Sequence, residues 1–270
     1  MSIKTAIDGE VTIVTIDRME ARNAVDSAMA DAMFRAFVAF DRDPSQKVAV
    51  LTGVDGAFCA GFDLKQASSN GIDQRWYAEH ELDAGFDGSD DRPRKGPMGP
   101  TRLTLTKPVI AAISGAAVAG GMELALWCDM RVMERSAYMG VYCRRWGVPL
   151  IDGGTVRLPR IVGHGRAMDL ILTGRKVEAD ECLAIGLANR VCDDGRSLVT
   201  ALELARELCR FPQACMRADR MSAIRQWSLD IEPALGGEWA TSAATFRSEG
   251  SAGAARFSSG KGRSGNFSDL

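Results

Sequence analysis

Two stretches of the 270-residue chain, 53–64 and 113–124, combine residue types that can bind a negatively charged oxygen. Each leaves a short apolar run, passes through several small residues, and leads into a segment with helical spacing. Glycines let the backbone approach a ligand, and the first turn of a helix presents unpaired N–H groups with a partial positive charge. Two such turns facing one point would bind an oxyanion, whereas either turn taken alone is better explained by close packing.

A framework of strands and helices must position these turns. A hairpin at Asp8-Gly9 precedes a β-branched strand at 11–16, and Asp26 offers an N-cap to a helix that Pro44 ends. Periodicity predicts further strands at 48–51, 109–113 and 130–133, a small-residue turn at 115–121, and helices near 62–67, 74–82, 122–127, 154–160, 166–172, 179–185, 198–208, 214–226 and 232–247. A strand-rich first half followed by a mostly helical second half predicts an α/β fold.

Composition excludes several classes of function. Lys and Arg number 33 against 35 Asp and Glu, so the chain lacks the basic excess of a nucleic-acid-binding protein. No apolar run approaches the roughly 20 residues that span a bilayer, and the N-terminus lacks a signal-peptide profile. Seven cysteines without a C-x-x-C pair, and only two histidines, predict free thiols in a reducing compartment and no metal site. We therefore expect a cytoplasmic protein with neither a membrane nor a nucleic-acid partner.

The motifs, taken in order, resemble those of the crotonase (enoyl-CoA hydratase/isomerase) family. The resemblance runs nearly from end to end, and the order of several motifs makes it specific where any single one would be weak. The motifs include FCAGFDLK at 58–65, KPVIAAISG at 107–115 and AGGMELA at 119–125, with shorter matches at 12–18, 20–24, 128–129, 153–155, 158–160, 172–175 and 184–188.

The resemblance implies a fold, a substrate and an assembly. The fold is an α/β crotonase-type spiral of repeated ββα units, which we place at 1–195, followed by a C-terminal helical trimerisation region at 196–270. The substrate is an acyl-CoA thioester, with coenzyme A as part of the substrate and no separate cofactor. Relatives assemble as homotrimers or dimers of trimers, and small residues between 234 and 244 in an amphipathic helix would suit such an interface.

By matching motif positions, the backbone N–H groups of Phe62 and Gly120 form the oxyanion hole. An enolate places new charge on the thioester oxygen, where fixed donors act most strongly. The resemblance also implies CoA contacts from Ala21, Arg22, Ala24, Ala60, Phe62, Asp63, Leu64, Lys65 and Gly120. For Lys65 a solvated position on a helix is an equal alternative. Lys261 is a weak match to a basic residue that reaches a neighbouring subunit's CoA.

Glu123 matches the first of two glutamates that the family's hydratases use as general acid and base. Its apolar neighbours favour this role over that of an exposed residue in a first helical turn. The second glutamate corresponds to Cys143 in this chain. Asp152, in an Ile-Asp-Gly-Gly run, matches a functional Asp of relatives such as dihydroxynaphthoyl-CoA synthases. Asp152 is therefore either the second acid/base or the N-cap of the next helix, and a nucleophilic Cys143 is disfavoured because no histidine neighbours it in sequence.

We therefore expect an enzyme that stabilises a thioester enolate and hydrates a 2-enoyl-CoA to a 3-hydroxyacyl-CoA. An enoyl-CoA double-bond isomerase, which needs one proton shuttle, is the first alternative. A non-catalytic acyl-CoA-binding member of the family is the second, because one of the two glutamates is missing.

Overall fold

The computed structural model describes residues 2–54, 56–82 and 93–261. The chain divides into two compact units, Met1–Ala205 and Arg206–Leu270. The boundary expected after residue 195 precedes this division, which falls inside a helix at Ser197–Arg210.

Strands of the first unit pair into two sheets. In the described residues they are β1 (Ser2–Asp8), β2 (Val11–Asp17), β3 (Val48–Gly53), β4 (Val109–Ile113), β5 (Ala116–Val118), β6 (Met130–Glu134), β7 (Tyr138–Gly140), β8 (Val177–Glu178) and β9 (Arg190–Cys192). The larger sheet has the order β1-β2-β3-β4-β6-β9. β1 and β2 form the predicted antiparallel hairpin, and the other pairs are parallel. β4 is a continuous buried apolar run, and β3 is one from Val48 to Leu51, as expected of central parallel strands covered on both faces.

The sequence prediction missed the smaller sheet, of order β5-β7-β8, and also β9 at the edge of the larger sheet. The turn predicted at 115–121 contains β5, and the second half predicted as mostly helical also holds β7, β8 and β9. The second half is mostly helical as predicted, but these short strands were missed because two or three residues are too few to show an alternating pattern. Their pairing defines them: β5 runs parallel to β7, and β8 runs antiparallel to it.

Helices of the first unit follow the predicted periodicity. They are α1 (Ser27–Arg42), α2 (Leu64–Gln66), α3 (Gln74–His80), α4 (Gly120–Trp127), α5 (Gly154–Val162), α6 (His164–Thr173) and α7 (Ala179–Ala184), and α8 (Ser197–Arg210) crosses the boundary. Asp26 caps α1 as predicted, accepting a hydrogen bond from the N–H of Met29 at 2.9 Å. α4 begins earlier than predicted, directly after Ala119, whose φ of 53° turns the chain out of β5.

The hydrophobic core of this unit packs α1 and α4 into one cluster with the strands. The buried face of α1 carries Met33, Phe37 and Phe40. The Phe37 ring meets the Trp127 ring of α4 edge to face, with centroids 4.8 Å apart. Fully burying an apolar side chain of this size stabilises a fold by roughly 1.5–3 kcal/mol. α4, whose first turn carries the second small-residue stretch, is therefore firmly anchored.

The second unit is helical. Its helices in the described residues are α9 (Gln213–Arg225), α10 (Ile231–Thr245) and α11 (Ser251–Ser258), the last two joined through a π-helical segment at Phe246–Gly250. Along α10, Ile231, Leu235 and Trp239 recur every fourth residue and are exposed in the single chain. Across the described chain, no helix has both the length and the apolar character needed to cross a membrane.

Candidate active site

The two small-residue turns lie side by side, as predicted. The Cys59 N–H donates to the Ala116 carbonyl at 2.9 Å, and the Val118 N–H donates to the Cys59 carbonyl at 3.1 Å. Gly61 has a φ of 99°, and a Cβ atom at this position would lie 2.9 Å from the backbone nitrogen of Gly120. Glycine is therefore what allows the turns to approach this closely.

The N–H groups of Phe62 and Gly120 are available to a ligand. Within the described part of the chain, neither donates a hydrogen bond to a protein acceptor. Gly120 is the first residue of α4, where N–H groups have no acceptor within the helix. Both residues line one cavity, so a single oxyanion bound there can accept from both.

Buried polar contacts hold the backbone around Phe62. The side-chain amide of Asn23 donates to the Ala57 carbonyl at 2.6 Å, and its oxygen accepts from the Arg18 N–H at 2.9 Å. The Arg18 guanidinium lies 2.8 Å from Asp63, whose other oxygen caps α2. Burial opposes ionisation, yet hydrogen bonds from Arg18 and from the backbone of α2 keep the pKa of Asp63 below its usual value. These contacts fix the chain on both sides of the first turn.

Glu123 is buried in the first turn of α4, with 3% of its surface exposed, so the alternative of a solvent-exposed residue is wrong. Its Oε1 accepts hydrogen bonds from the N–H groups of Asp152 at 2.9 Å and Gly154 at 2.8 Å. A Cβ atom at Gly154 would lie 2.9 Å from this oxygen. Burial, reinforced by the charge of Asp152, raises the pKa of Glu123 to about 8. A carboxyl group with a pKa near the working pH suits general acid/base chemistry.

Asp152 is the second buried carboxylate. Its Oδ1 accepts hydrogen bonds from the Met98 N–H at 2.9 Å and from the Thr101 hydroxyl. The N-cap of α5 is Gly153, and no side chain caps this helix. The alternative of Asp152 as N-cap is therefore wrong, because its side chain is bonded to the 98–101 segment instead. Burial raises the pKa of Asp152, although the two hydrogen bonds and the charge of Arg102 oppose this.

One oxygen of each carboxylate remains open. Among the described residues, neither Oε2 of Glu123 nor Oδ2 of Asp152 has a hydrogen-bond donor, and neither atom is sealed inside the protein. Both side chains line the same cavity. Each carboxylate is thus held by one oxygen and presents the other to a ligand, an arrangement that can take up or deliver a proton.

Cys143, where the resemblance would place a second glutamate, lines the same cavity from a 3₁₀ turn at Tyr142–Trp146. Burial, together with the neighbouring Glu123 carboxylate, raises the pKa of the Cys143 thiol. The thiol is therefore neutral near pH 7, and a neutral thiol is a weak nucleophile.

The cavity encloses about 340 Å³, within the range typical of small-molecule sites. Aromatic side chains form much of its wall: Phe62, Trp76, Tyr142 and Trp146. The Phe62 and Trp76 rings pack edge to face, with centroids 6.0 Å apart. In the described residues, no lysine, arginine or histidine lines the cavity, and no cluster of three or more potential metal ligands occurs. The cavity therefore suits an apolar group that reaches a thioester carbonyl at the two turns.

The residues predicted to contact CoA fall into two groups. One group lines the cavity: Ala24, Ala60, Phe62, Leu64 and Gly120. The other does not line it: Ala21, Arg22, Asp63 and Lys65. Lys65 is exposed on α2, and Lys261 is exposed in the second unit. The contacts of this second group and of Lys261 remain predictions.

Sequence reasoning missed the residues that support the carboxylates. Met98 and Thr101, which hold Asp152, lie more than 50 positions before it, so no short motif joins them. A local signal was available in the Gly-Pro-Met-Gly-Pro run at 96–100, which marks a fixed turn around one bulky side chain. Trp76 was likewise visible as an isolated aromatic residue in a polar segment. The Trp76 ring packs against the buried His80 ring, with the two ring centroids 4.4 Å apart.

Comparisons with known proteins show which family the chain resembles. The family model described as enoyl-CoA hydratase/isomerase matches residues 6–93 and 95–257. The chain is 38% identical over 204 residues to the enoyl-CoA hydratase EchA19 of Mycobacterium tuberculosis, covering 73% of this chain and 70% of that protein. It is 38% identical over 213 residues to a carnitinyl-CoA dehydratase of Salmonella arizonae, covering 77% and 74%.

The fold itself has a close counterpart among solved structures. The enoyl-CoA hydratase EchA1 from Mycobacterium marinum superposes with a TM-score of 0.82 at 28% identity, covering 95% of each chain. The crotonase fold predicted from the motifs is thereby confirmed, and the named relatives support acyl-CoA hydratase-type activity. The chain belongs to the enoyl-CoA hydratase/isomerase (crotonase) family, whose members act on CoA thioesters.

Proposed function

We propose that this enzyme hydrates a 2-enoyl-CoA, with Glu123 and Asp152 as the proton-transferring pair and Phe62 and Gly120 as the oxyanion hole. One observation carries the proposal. Two buried carboxylates each present an open oxygen to the cavity that the two free N–H groups also face.

The reaction adds water across the C2=C3 bond of the acyl group. One ionised carboxylate accepts a proton from water as the water oxygen bonds to C3. The π electrons move toward the thioester, and the oxygen that gains charge accepts hydrogen bonds from the N–H groups of Phe62 and Gly120. The other carboxyl, which is protonated, delivers its proton to C2 and regenerates the thioester. Dehydration of a 3-hydroxyacyl-CoA follows the same steps in reverse.

The surroundings of the two carboxyl groups suggest which of them holds a proton in the resting enzyme. The charge of Asp152 contributes to raising the pKa of Glu123 to about 8, which means that an ionised Asp152 favours a protonated Glu123. Asp152 has donors that stabilise its ionised form, the Met98 N–H and the Thr101 hydroxyl. We therefore assign the resting proton to Glu123 and the role of base toward water to Asp152.

The remaining contacts to coenzyme A follow from the family match. Ala24, Ala60 and Leu64 line the cavity, and their backbone would meet the pantetheine next to the thioester. Ala21, Arg22, Asp63 and Lys65 would lie further out along CoA.

We also propose a homotrimer or a dimer of trimers in a reducing, cytoplasmic compartment. The exposed apolar residues Ile231, Leu235 and Trp239 of α10 support an interface between copies. All seven cysteines are free thiols, which supports a reducing compartment. Light scattering at micromolar concentration tests the assembly, and a monomer would contradict it.

Turnover of crotonyl-CoA and of longer and branched 2-enoyl-CoA thioesters tests the proposed chemistry through the loss of the conjugated enoyl absorbance. Glu123→Gln and Asp152→Asn should each lower kcat by roughly 10²–10⁴. Cys143→Ala, a matched change in the same cavity, should retain most of the activity. Circular dichroism checks that each variant is folded.

Two results would contradict the proposal. Parental activity in Asp152→Asn together with an inactive Cys143→Ala would transfer the acid/base role to the cysteine. Thermal stabilisation of the parent by these thioesters without any turnover would favour a non-catalytic acyl-CoA-binding protein.

A further inference from the structure

We propose that Thr101 is a positioning residue for the hydration reaction: its hydroxyl fixes the orientation of the Asp152 carboxylate so that Oδ2 faces the cavity. This inference rests on the proposed role of Asp152 as a base. Thr101 does not line the cavity, so it acts through Asp152 and not on the substrate.

The contact is direct and fully buried. Thr101 is 1% exposed and Asp152 is 3% exposed. The Thr101 hydroxyl donates to Oδ1 of Asp152, and the Met98 N–H donates to the same oxygen at 2.9 Å. Two donors on one oxygen, approaching from different parts of the 98–101 segment, fix the rotation of the carboxylate about its Cβ–Cγ bond. Without the hydroxyl, one backbone donor remains and this rotation is less restricted.

Thr101 is itself held in place by a second connection to the same segment. Its backbone carbonyl accepts a hydrogen bond from Nη2 of Arg157 at 2.7 Å, and Nη1 of Arg157 donates to the Asp152 carbonyl at 3.0 Å. Arg157 therefore clamps the backbone of both residues. The Thr101 side chain meets Asp152 from a fixed position, and this is the requirement for orienting it.

The same hydrogen bond also affects the charge of Asp152. The titratable and charged groups that act on this carboxylate are Glu123 on α4, Arg102 beside Thr101, His80 on α3 and Arg157 on α5. Burial raises the pKa of Asp152, and the Thr101 hydroxyl is the largest opposing influence because it donates to the ionised form. Removal of the hydroxyl should raise this pKa further and leave less of the base ionised at neutral pH.

The test compares Thr101→Val and Thr101→Ser, since valine removes the hydroxyl at similar size and serine keeps it. We expect Thr101→Val to lower kcat roughly ten- to hundredfold, the usual effect of losing a hydrogen bond to a charged group, with KM for crotonyl-CoA unchanged. The acidic limb of the kcat–pH profile should move to higher pH, because the Thr101 hydroxyl no longer opposes the effect of burial on the pKa of Asp152. Thr101→Ser should restore both kcat and the position of this limb.

Thr106→Val is the matched control, because the Thr106 hydroxyl donates to the Asp41 carboxylate at 2.9 Å on the exposed surface. This variant loses the same kind of hydrogen bond and should keep the parental kcat and pH profile.

The result that overturns the inference is a folded Thr101→Val enzyme with parental kcat and an unmoved acidic limb. If valine prevents folding, Thr101→Ala provides the same comparison with less crowding, and parental behaviour there overturns the inference equally. A failure of the proposed function is distinct, since Asp152→Asn would then keep full activity whatever the Thr101 variants do.

Discussion

Replacing Glu123 with glutamine should stabilise the fold, and the gain should grow as the pH rises. The carboxyl group is buried, and burial together with the charge of Asp152 raises the pKa of Glu123 to about 8 from an ordinary value of 4.5. Glutamine keeps an oxygen that can accept hydrogen bonds from the N–H groups of Asp152 and Gly154. It removes the charge that the site disfavours.

The sign and size of this stability change follow from the linkage between folding and protonation. Below pH 4.5 the carboxyl of Glu123 is protonated in the folded and the unfolded chain, so it creates no pH-dependent difference. Between pH 4.5 and about 8 the unfolded chain has released this proton and the folded chain retains it, so the parent loses stability as the pH rises. The loss is at most about 1.4 kcal/mol per pH unit and at most about 5 kcal/mol in total.

Urea unfolding at pH 5, 7 and 9, followed by circular dichroism at one protein concentration, measures this effect. The free energy of unfolding of Glu123→Gln, relative to the parent, should rise from pH 5 to pH 9. Glu203→Gln on α8 changes the same charge at an exposed site, and its difference from the parent should stay within about 0.5 kcal/mol at every pH. A Glu123→Gln difference that stays constant or shrinks toward pH 9 would refute the assignment of a buried carboxyl with a raised pKa.

Three further predictions concern the geometry around the pair. Gly154→Ala should lower kcat roughly tenfold to hundredfold, because the new Cβ would lie 2.9 Å from Oε1 of Glu123. The control Gly165→Ala, which has open space around it, should keep the parental kcat. Equal kcat in the two variants would contradict this prediction. Gly61→Ala should lower kcat roughly 10²–10³-fold by separating the two turns, while Gly163→Ala, also at positive φ but without a close neighbour, should reduce only thermal stability. Iodoacetamide at pH 7 should leave turnover intact, because burial raises the pKa of the Cys143 thiol; inactivation that substrate prevents would argue against this.

The parts of the fold that sequence predicted well are those whose signal is local. The β2 strand largely alternates buried and partly exposed residues, α1 buries apolar residues on one face, and β3 begins with four apolar residues in a row. The β5, β7 and β8 strands lack such a signal because they are two or three residues long and exist through pairing with each other. Pairing between segments that are distant in sequence is a tertiary effect that a local pattern does not contain.

In the candidate site, too, features with a local sequence signal were predictable and contacts between distant segments were not. The two glycine-containing turns were predictable, because the residue types that let backbone approach a ligand are visible in the sequence. The hydrogen bonds that hold Asp152 were not, since the donors at Met98 and Thr101 come from a distant segment. The alternatives left open for Asp152 were separated only by the direction of its side chain, away from the N-cap position and toward Thr101.

By the family resemblance, Cys143 stands where the hydratases have a glutamate. The neutral side chain at this position and the carboxylate of Asp152 together determine how much charge the cavity carries. Both positions line the cavity that Glu123 faces, so a carboxylate at either position would be within reach of a bound acyl group. The charge of Asp152 already helps to raise the pKa of Glu123, and a third carboxylate at position 143 would add a further charge to bury. The neutral thiol of Cys143 avoids that charge, and in the proposed mechanism Asp152 supplies the second carboxylate of the acid/base pair.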